Sequence, residues 1–197
     1  MKPMTRSEKE QFSALMAAIF APPDEFLLAN LQREETPPIP LDGEFSFEGL
    51  RKDYVRLFSN VCGERISLVE STYKPWTADK TCPLEFSGEK GLLMGDCALH
   101  IQNIFKALSL KVPPDYQGTP DHLVLELELL SHLYCFASED QIRRFIGDHL
   151  DWIPNLRDEI QKANPGFYGP AVERLLDFLN EEIHFSKEGK NESQSLH

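Results

Sequence analysis

The strongest constraint on this chain is the period of its apolar residues, which is helical in nearly every segment. Phe47, Leu50, Tyr54, Leu57 and Phe58 fall on one face of a helix. Phe12, Leu15, Met16, Ile19 and Phe20 repeat the spacing, and Leu123, Leu127, Leu130 and Tyr134 form another stripe. Two further stripes are Ile142, Phe145, Ile146 and Leu150, and then Val172, Leu175, Leu176, Leu179 and Ile183. A long buried helix is predicted over 92–108 from Leu92, Met94, Cys97, Ala98, Ile101, Ile104, Phe105 and Leu108. Boundaries are marked as well. Ser7-Glu8-Lys9-Glu10 and Ser138-Glu139-Asp140-Gln141 have the form of capping boxes, and Pro154 suits a helix start. Pro22-Pro23 ends one helix and opens another carrying Phe26, Leu27 and Leu31, and Asn164-Pro165-Gly166 stops a later one. No strand-like alternation of convincing length and no internal repeat is present. The expectation is an all-α bundle of about nine or ten helices.

Two stretches escape the period. Thr36-Pro37-Pro38-Ile39-Pro40 reads as a stiff connector. Residues 60–88 give no clean repeat, and they contain Glu70-Ser71-Thr72-Tyr73-Lys74-Pro75-Trp76, with two aromatics flanking a turn. An aperiodic stretch of that length is uncommon in a compact domain and is often functional. Residues 186–197 are polar and charged and are expected to be a disordered tail.

At 197 residues the chain suits one substantial domain, or two small ones sharing a core. Its formal net charge of −12 argues against a phosphate-backbone partner and favours a cationic one. Between Asp121 and Phe185 there are 13 acidic and 5 basic residues, a local balance of 5 − 13 = −8. The four cysteines, Cys62, Cys82, Cys97 and Cys135, form no CxxC pair. They are expected to be reduced thiols filling core volume, and nucleophilic catalysis through Cys62 or Cys82 is not expected. The N-terminus has no apolar leader core and no apolar run approaches the roughly 20 residues that span a bilayer, so a soluble cytoplasmic protein is expected.

The segment Gly118-Thr119-Pro120-Asp121-His122-Leu123 places a carboxylate and an imidazole where a helix should start. Thr119 can cap that helix, Pro120 suits its first position and Asp121 complements its positive end, with the side chains facing outward. Glu126 lies one turn on from His122, at a spacing that can hold a divalent metal or orient an imidazole for base catalysis. A zinc site needs three or four ligands, and nothing in the sequence compels His100, His132 or His149 to converge on these residues. A capping or hydrogen-bonded histidine is the simpler reading, and no metal or cofactor is expected. There is no phosphate-cradling GxxxxGK[ST] and no strand-linked glycine fingerprint. Tyr54 and Phe58 suit a core. Tyr73 and Trp76 suit either a staple for their loop or the apolar wall of a peptide site.

Three motifs in order carry a resemblance. Leu50-Arg51-Lys52-Asp53-Tyr54-Val55-Arg56-Leu57-Phe58 resembles a Tyr-x-Arg-Leu-Phe helix, Glu70-Ser71-Thr72-Tyr73 a Ser-x-Tyr loop, and Pro120-Asp121-His122-Leu123 with Glu126-Leu127-Glu128 an Asp-His motif. Together they resemble the TorD/DmsD/NarJ family of cytoplasmic chaperones that mature redox enzymes, over roughly residues 7–185. The chain departs in carrying Gly118-Thr119 where many members have a glutamate before the Asp-His pair. The resemblance implies a helical N-terminal subdomain, 1–117, and a C-terminal one, 118–185, joined by a hinge near the Asp-His motif. It implies a non-enzymatic chaperone for a molybdenum-cofactor oxidoreductase of anaerobic respiration. Such a chaperone binds the twin-arginine signal peptide, the apo catalytic subunit, or both until the cofactor is inserted, and domain-swapped homodimers occur.

Under that resemblance Asp121 is expected to meet a leader arginine. Pro120 and His122 accompany it, His122 in an orienting or pH-sensitive role, with Glu126 positioning His122. Tyr73 and Trp76 would contact the leader's apolar part, and Tyr54 and Phe58 would support that wall. The alternatives are a helical metal-dependent hydrolase or nucleotide-binding enzyme using Asp121, His122 and Glu126, and a general acidic adaptor for a folded partner.

Overall fold

A computed structural model describes residues 3–27, 31, 46–59 and 65–192, with side chains to residue 184. Seven α-helices have complete bounds among them. They are α1 (Arg6–Phe20), α2 (Phe47–Phe58), α3 (Asp96–Ala107), α4 (Leu123–Phe136), α5 (Glu139–His149), α6 (Ile153–Lys162) and α7 (Tyr168–Glu192). Residues 25–27 and 31 are also helical, and two 3-10 turns lie at Glu70–Thr72 and Pro114–Tyr116. Among the described residues no strand forms, only an isolated antiparallel bridge between Val69 and His122. The fold is all-α as expected. Among the described residues the helical segments are slightly fewer than the nine or ten expected, and residues 65–95 supply one 3-10 turn and otherwise irregular chain. The 36–40 connector, Cys62 and residues 193–197 lie outside the described residues. Helix α7 takes in residues to Glu192, part of the stretch expected to be a tail.

The centre is α4, where nine of fourteen residues are buried, including the predicted stripe Leu123, Leu127, Leu130 and Tyr134. A helix buried on nearly every side needs partners all round. Here α1 supplies the most extensive packing, with α5 against another part of its surface. One apolar cluster runs from Phe12 through Leu130 to Leu179. It includes residues from both sides of 117/118, so the two-subdomain division is a proposal about motion, with one core shared between the halves.

Helix ends show where local pattern decides and where it yields. Ser138 caps α5 with the predicted box to Gln141, and Pro154 lies in the first turn of α6. Asn164 and Gly166 take positive φ values of 56° and 51° where α6 stops. At α1 the box forms two residues earlier than predicted, between Thr5 and Glu8. That start puts Arg6 in the helix, from where its guanidinium donates to the Tyr134 and Ala137 carbonyls at the end of α4. Helix α3 starts at Asp96, not at 92. The Asp96 N–H donates to the Trp76 carbonyl at 2.8 Å, and a Cβ on Gly95 would lie 2.4 Å from that oxygen, so the preceding residues follow the loop.

Candidate functional site

The Asp-His segment is pinned before the helix begins. Leu123 N–H donates to the Leu68 carbonyl at 2.8 Å, and Glu70 N–H donates to the Asp121 carbonyl at 3.0 Å. These bonds hold 120–122 outside the helix, so α4 starts at Leu123, with His122 as its cap in place of Thr119. The His122 Nδ1 accepts from Val124 N–H at 3.3 Å, which puts the ring proton on Nε2. Burial and then the Arg65 guanidinium hold His122 at about 4, so the ring is neutral and its titration lies well below the neutral range expected of a pH-sensitive group.

Asp121 does not face outward. It is 0% exposed, its Oδ2 accepts from Ser71 N–H at 2.8 Å, and the Cys97 thiol lies 3.7 Å from the same oxygen. Burial, with the Glu70 and Asp121 carboxylates, pushes Cys97 up to about 12, so it stays a thiol. Asp121 thereby ties three elements together: the 3-10 turn at 70–72, the start of α4 and the first turn of α3. A solvent partner reaches this carboxylate only when that junction opens. Pro120 beside it is also buried.

Glu126 turns away from His122 toward a second buried group. Its Oε2 accepts from Trp152 Nε1–H at 3.2 Å, and the same indole N–H lies 2.8 Å from the His149 carbonyl. His149 Nδ1 is 3.0 Å from Glu70 Oε2, and His149 Nε2 is 2.8 Å from His100 Nδ1. The Lys74 ammonium lies 2.6 Å from Glu70 Oε1 and 2.5 Å from Asp151 Oδ1. Burial, Glu70 and Asp121 push the Glu126 carboxyl well above the usual range. Glu70 is also pushed upward by burial. The hydrogen bond and charge of His149, the Glu126 side chain and Lys74 outweigh that and hold it low.

The aromatics fall into three groups of ring contacts. Tyr73 stacks on Trp152 at 4.9 Å, and its hydroxyl donates to the Ser67 carbonyl and to Glu159. Trp76 is half-buried and meets Phe86 edge-on at 5.2 Å. Tyr54 and Phe58 pair with each other and with Tyr168, at 5.3 Å and 6.1 Å from Tyr54, while Phe58 also meets Phe20. Tyr54 is pushed to about 12 by burial and by Tyr116, whose ring lies 5.0 Å from His122. Arg56 of the first motif donates to the Ala163 and Asn164 carbonyls at 2.5 and 2.7 Å, and so clamps the end of α6.

Among the described residues the metal-spaced groups are Glu70 with Cys97 and Asp121, and Glu70 with Glu126 and His149. Neither contains His122, so the Asp121-His122-Glu126 centre of the enzyme alternative is not assembled. His149, His100, Trp152 and Lys74 are the participants that motif reading missed. Two signals were present: His100 and His149 were weighed for convergence, and Lys74 lies in the aperiodic 70–76 segment, with Trp152 two residues before Pro154. Cys135, expected in the core, is exposed. No helix among the described residues is long and apolar enough to cross a membrane.

The pattern of the nitrate reductase delta subunit family matches residues 18–158. A chaperone protein TorD from Shewanella piezotolerans is 25% identical over 100 residues, 50% of this chain and 46% of that protein. One from Vibrio cholerae serotype O1 is 27% identical over 109 residues, 49% of this chain and 50% of the relative. One from Salmonella paratyphi B is 32% identical over 85 residues, 39% and 40% of the two chains. The matched part thus spans half or less of these curated relatives.

Proposed function

This chain belongs to the nitrate reductase delta subunit family, and we propose that it is a cytoplasmic chaperone that matures a molybdenum-cofactor oxidoreductase. In this reading it binds the client's twin-arginine signal peptide, its apo catalytic subunit, or both, and releases them after cofactor insertion. The role is one of binding, without catalysis, and a homodimer is one of its states. The observation that carries the reading is the convergence of two of the three ordered motifs on one buried junction, with Ser71 N–H on the Asp121 carboxylate. Between residues 84 and 99 the chain exposes apolar side chains, Leu84, Phe86, Leu93 and Leu99, each 40–46% exposed. A leader has an apolar stretch and a cationic end. The first suits this surface, and the net charge of −12 suits the second.

The client-binding residues divide by burial. Trp76, His122 and Tyr54 are half-buried and present atoms to a peptide. Asp121, Pro120, Glu126, Tyr73 and Phe58 are buried: Asp121 and Pro120 set the junction's geometry, Glu126 and Tyr73 pack on Trp152, and Phe58 lies in the Tyr54–Tyr168 cluster. In this reading Asp121 meets a leader arginine only in an opened state, with the contact between 66–71 and 121–123 acting as the hinge.

Calorimetric titration of the full chain with a synthetic twin-arginine leader tests this. Saturable binding that Trp76→Ala weakens about tenfold is expected, the loss of one aromatic anchor. A chain that ignores the leader yet captures the folded mature subunit is the acidic adaptor instead.

A further inference from the structure

We propose that Glu70, Glu126 and His149 form a binding site for one zinc-class divalent cation at the core of the molecule. Each offers one ligand atom, and these atoms lie within 4.8 Å of one another. The residues are 0%, 0% and 1% exposed and come from three packed elements: the 3-10 turn, the first turn of α4 and the last residue of α5. Zinc-to-oxygen and zinc-to-nitrogen bonds of about 2.0–2.2 Å put tetrahedral ligands roughly 3.4 Å apart. Closing the set therefore needs side-chain adjustment and no refolding.

Two independent observations point to a ligand here. The first is Glu126 Oε1, which is buried and finds no hydrogen-bond partner among the protein's groups. Its sister oxygen is fixed by Trp152, and across from it stands Glu70, another acceptor. Two buried carboxyl groups facing each other need a positive charge between them, which a shared proton supplies in the metal-free molecule and a cation can replace. The second is the His149–His100 pair. Without metal, His149 Nδ1 serves Glu70 Oε2 as its hydrogen-bond partner at 3.0 Å. With the ring proton on Nε2, donated to His100 Nδ1 at 2.8 Å, Nδ1 is freed to offer its lone pair to a cation that takes that proton's place. A hydrogen bond behind the ring is how proteins orient and strengthen a metal-binding imidazole. His100 is exposed, so this pair also marks a route from solvent. Lys74 occupies Glu70 Oε1 and leaves Oε2 for the cation. One imidazole and two carboxylates suit zinc and its d-block neighbours, whereas calcium takes six to eight oxygens.

The bound ion would rivet the 70–72 turn, α4 and α5 together, so its signature is affinity and stability. The probes are Zn2+ alone and Co2+ alone, titrated into the chelator-treated full chain. One equivalent should bind, with visible Co2+ bands and a rise in melting temperature. Glu126→Gln keeps an oxygen for Trp152, and with His149→Gln it should weaken binding at least about tenfold, His100→Ala by about tenfold. His132→Ala, on an exposed ring of α4, should bind as the parent does. Circular dichroism checks that each variant folds, and Glu126→Gln decides alone if His149→Gln does not. The proposal is overturned by no saturable one-equivalent binding, by unchanged affinity in folded Glu126→Gln, or by loss in Cys97→Ser alone. The last outcome would move the ion to Glu70, Cys97 and Asp121.

Discussion

His122 is neutral because burial and the Arg65 charge both oppose a proton on it, holding it near 4 against about 6.5 in an unfolded chain. Between those values the unfolded state takes up the proton and the folded state does not. Stability is therefore whole above about pH 6.5 and falls as the pH drops, by about 2 kcal/mol at pH 5 and about 3 kcal/mol at pH 4. His122→Asn keeps a side-chain acceptor for Val124 N–H and removes the titration. Urea midpoints at pH 7 and pH 5 should lie closer together in this variant than in the parent. Equal spacing in the two proteins would remove His122 from the acid response. Asp121, one residue earlier, shows what a motif cannot carry. Its place in the sequence was legible as a helix-start charge, but its burial is decided by Ser71, fifty positions away.

The same contrast separates the elements. The stripes of α1, α2, α4 and α5 and the Ser138 box were legible because they depend on neighbours within a turn or two. The starts of α3 and α4 were not, since each is set by a carbonyl on a distant segment, Trp76 for one and Leu68 for the other. The end of α4 is governed in the same non-local way. Arg6 Nε and Nη2 donate to the Tyr134 and Ala137 carbonyls, with Leu133 at 3.5 Å, supplying donors that a helix C-terminus lacks. Arg6→Ala should cost about 1–2 kcal/mol, part of the worth of charged hydrogen bonds at a half-exposed site. Denaturant unfolding measures it, and a change below about 0.5 kcal/mol, the usual range of surface substitutions, would make the cap incidental.

On the scale of the molecule, one core joins the two halves, and a strongly acidic charge surrounds it. The proposed function uses both: the shared core makes opening at the 121–123 contact a coupled event, and the charge attracts a cationic leader. If attraction contributes to capture, raising salt from about 50 to 500 mM, which shortens the screening length roughly threefold, should slow leader association. A rate indifferent to salt would leave capture to the apolar surface alone. Capture itself is the claim on which the rest depends. The most direct measurement is mass spectrometry of what co-purifies with the tagged chain from its own anaerobically grown source. The account predicts the catalytic subunit of a molybdenum oxidoreductase, carrying its twin-arginine leader. Absence of any such subunit, in cells that are expressing one, would contradict it.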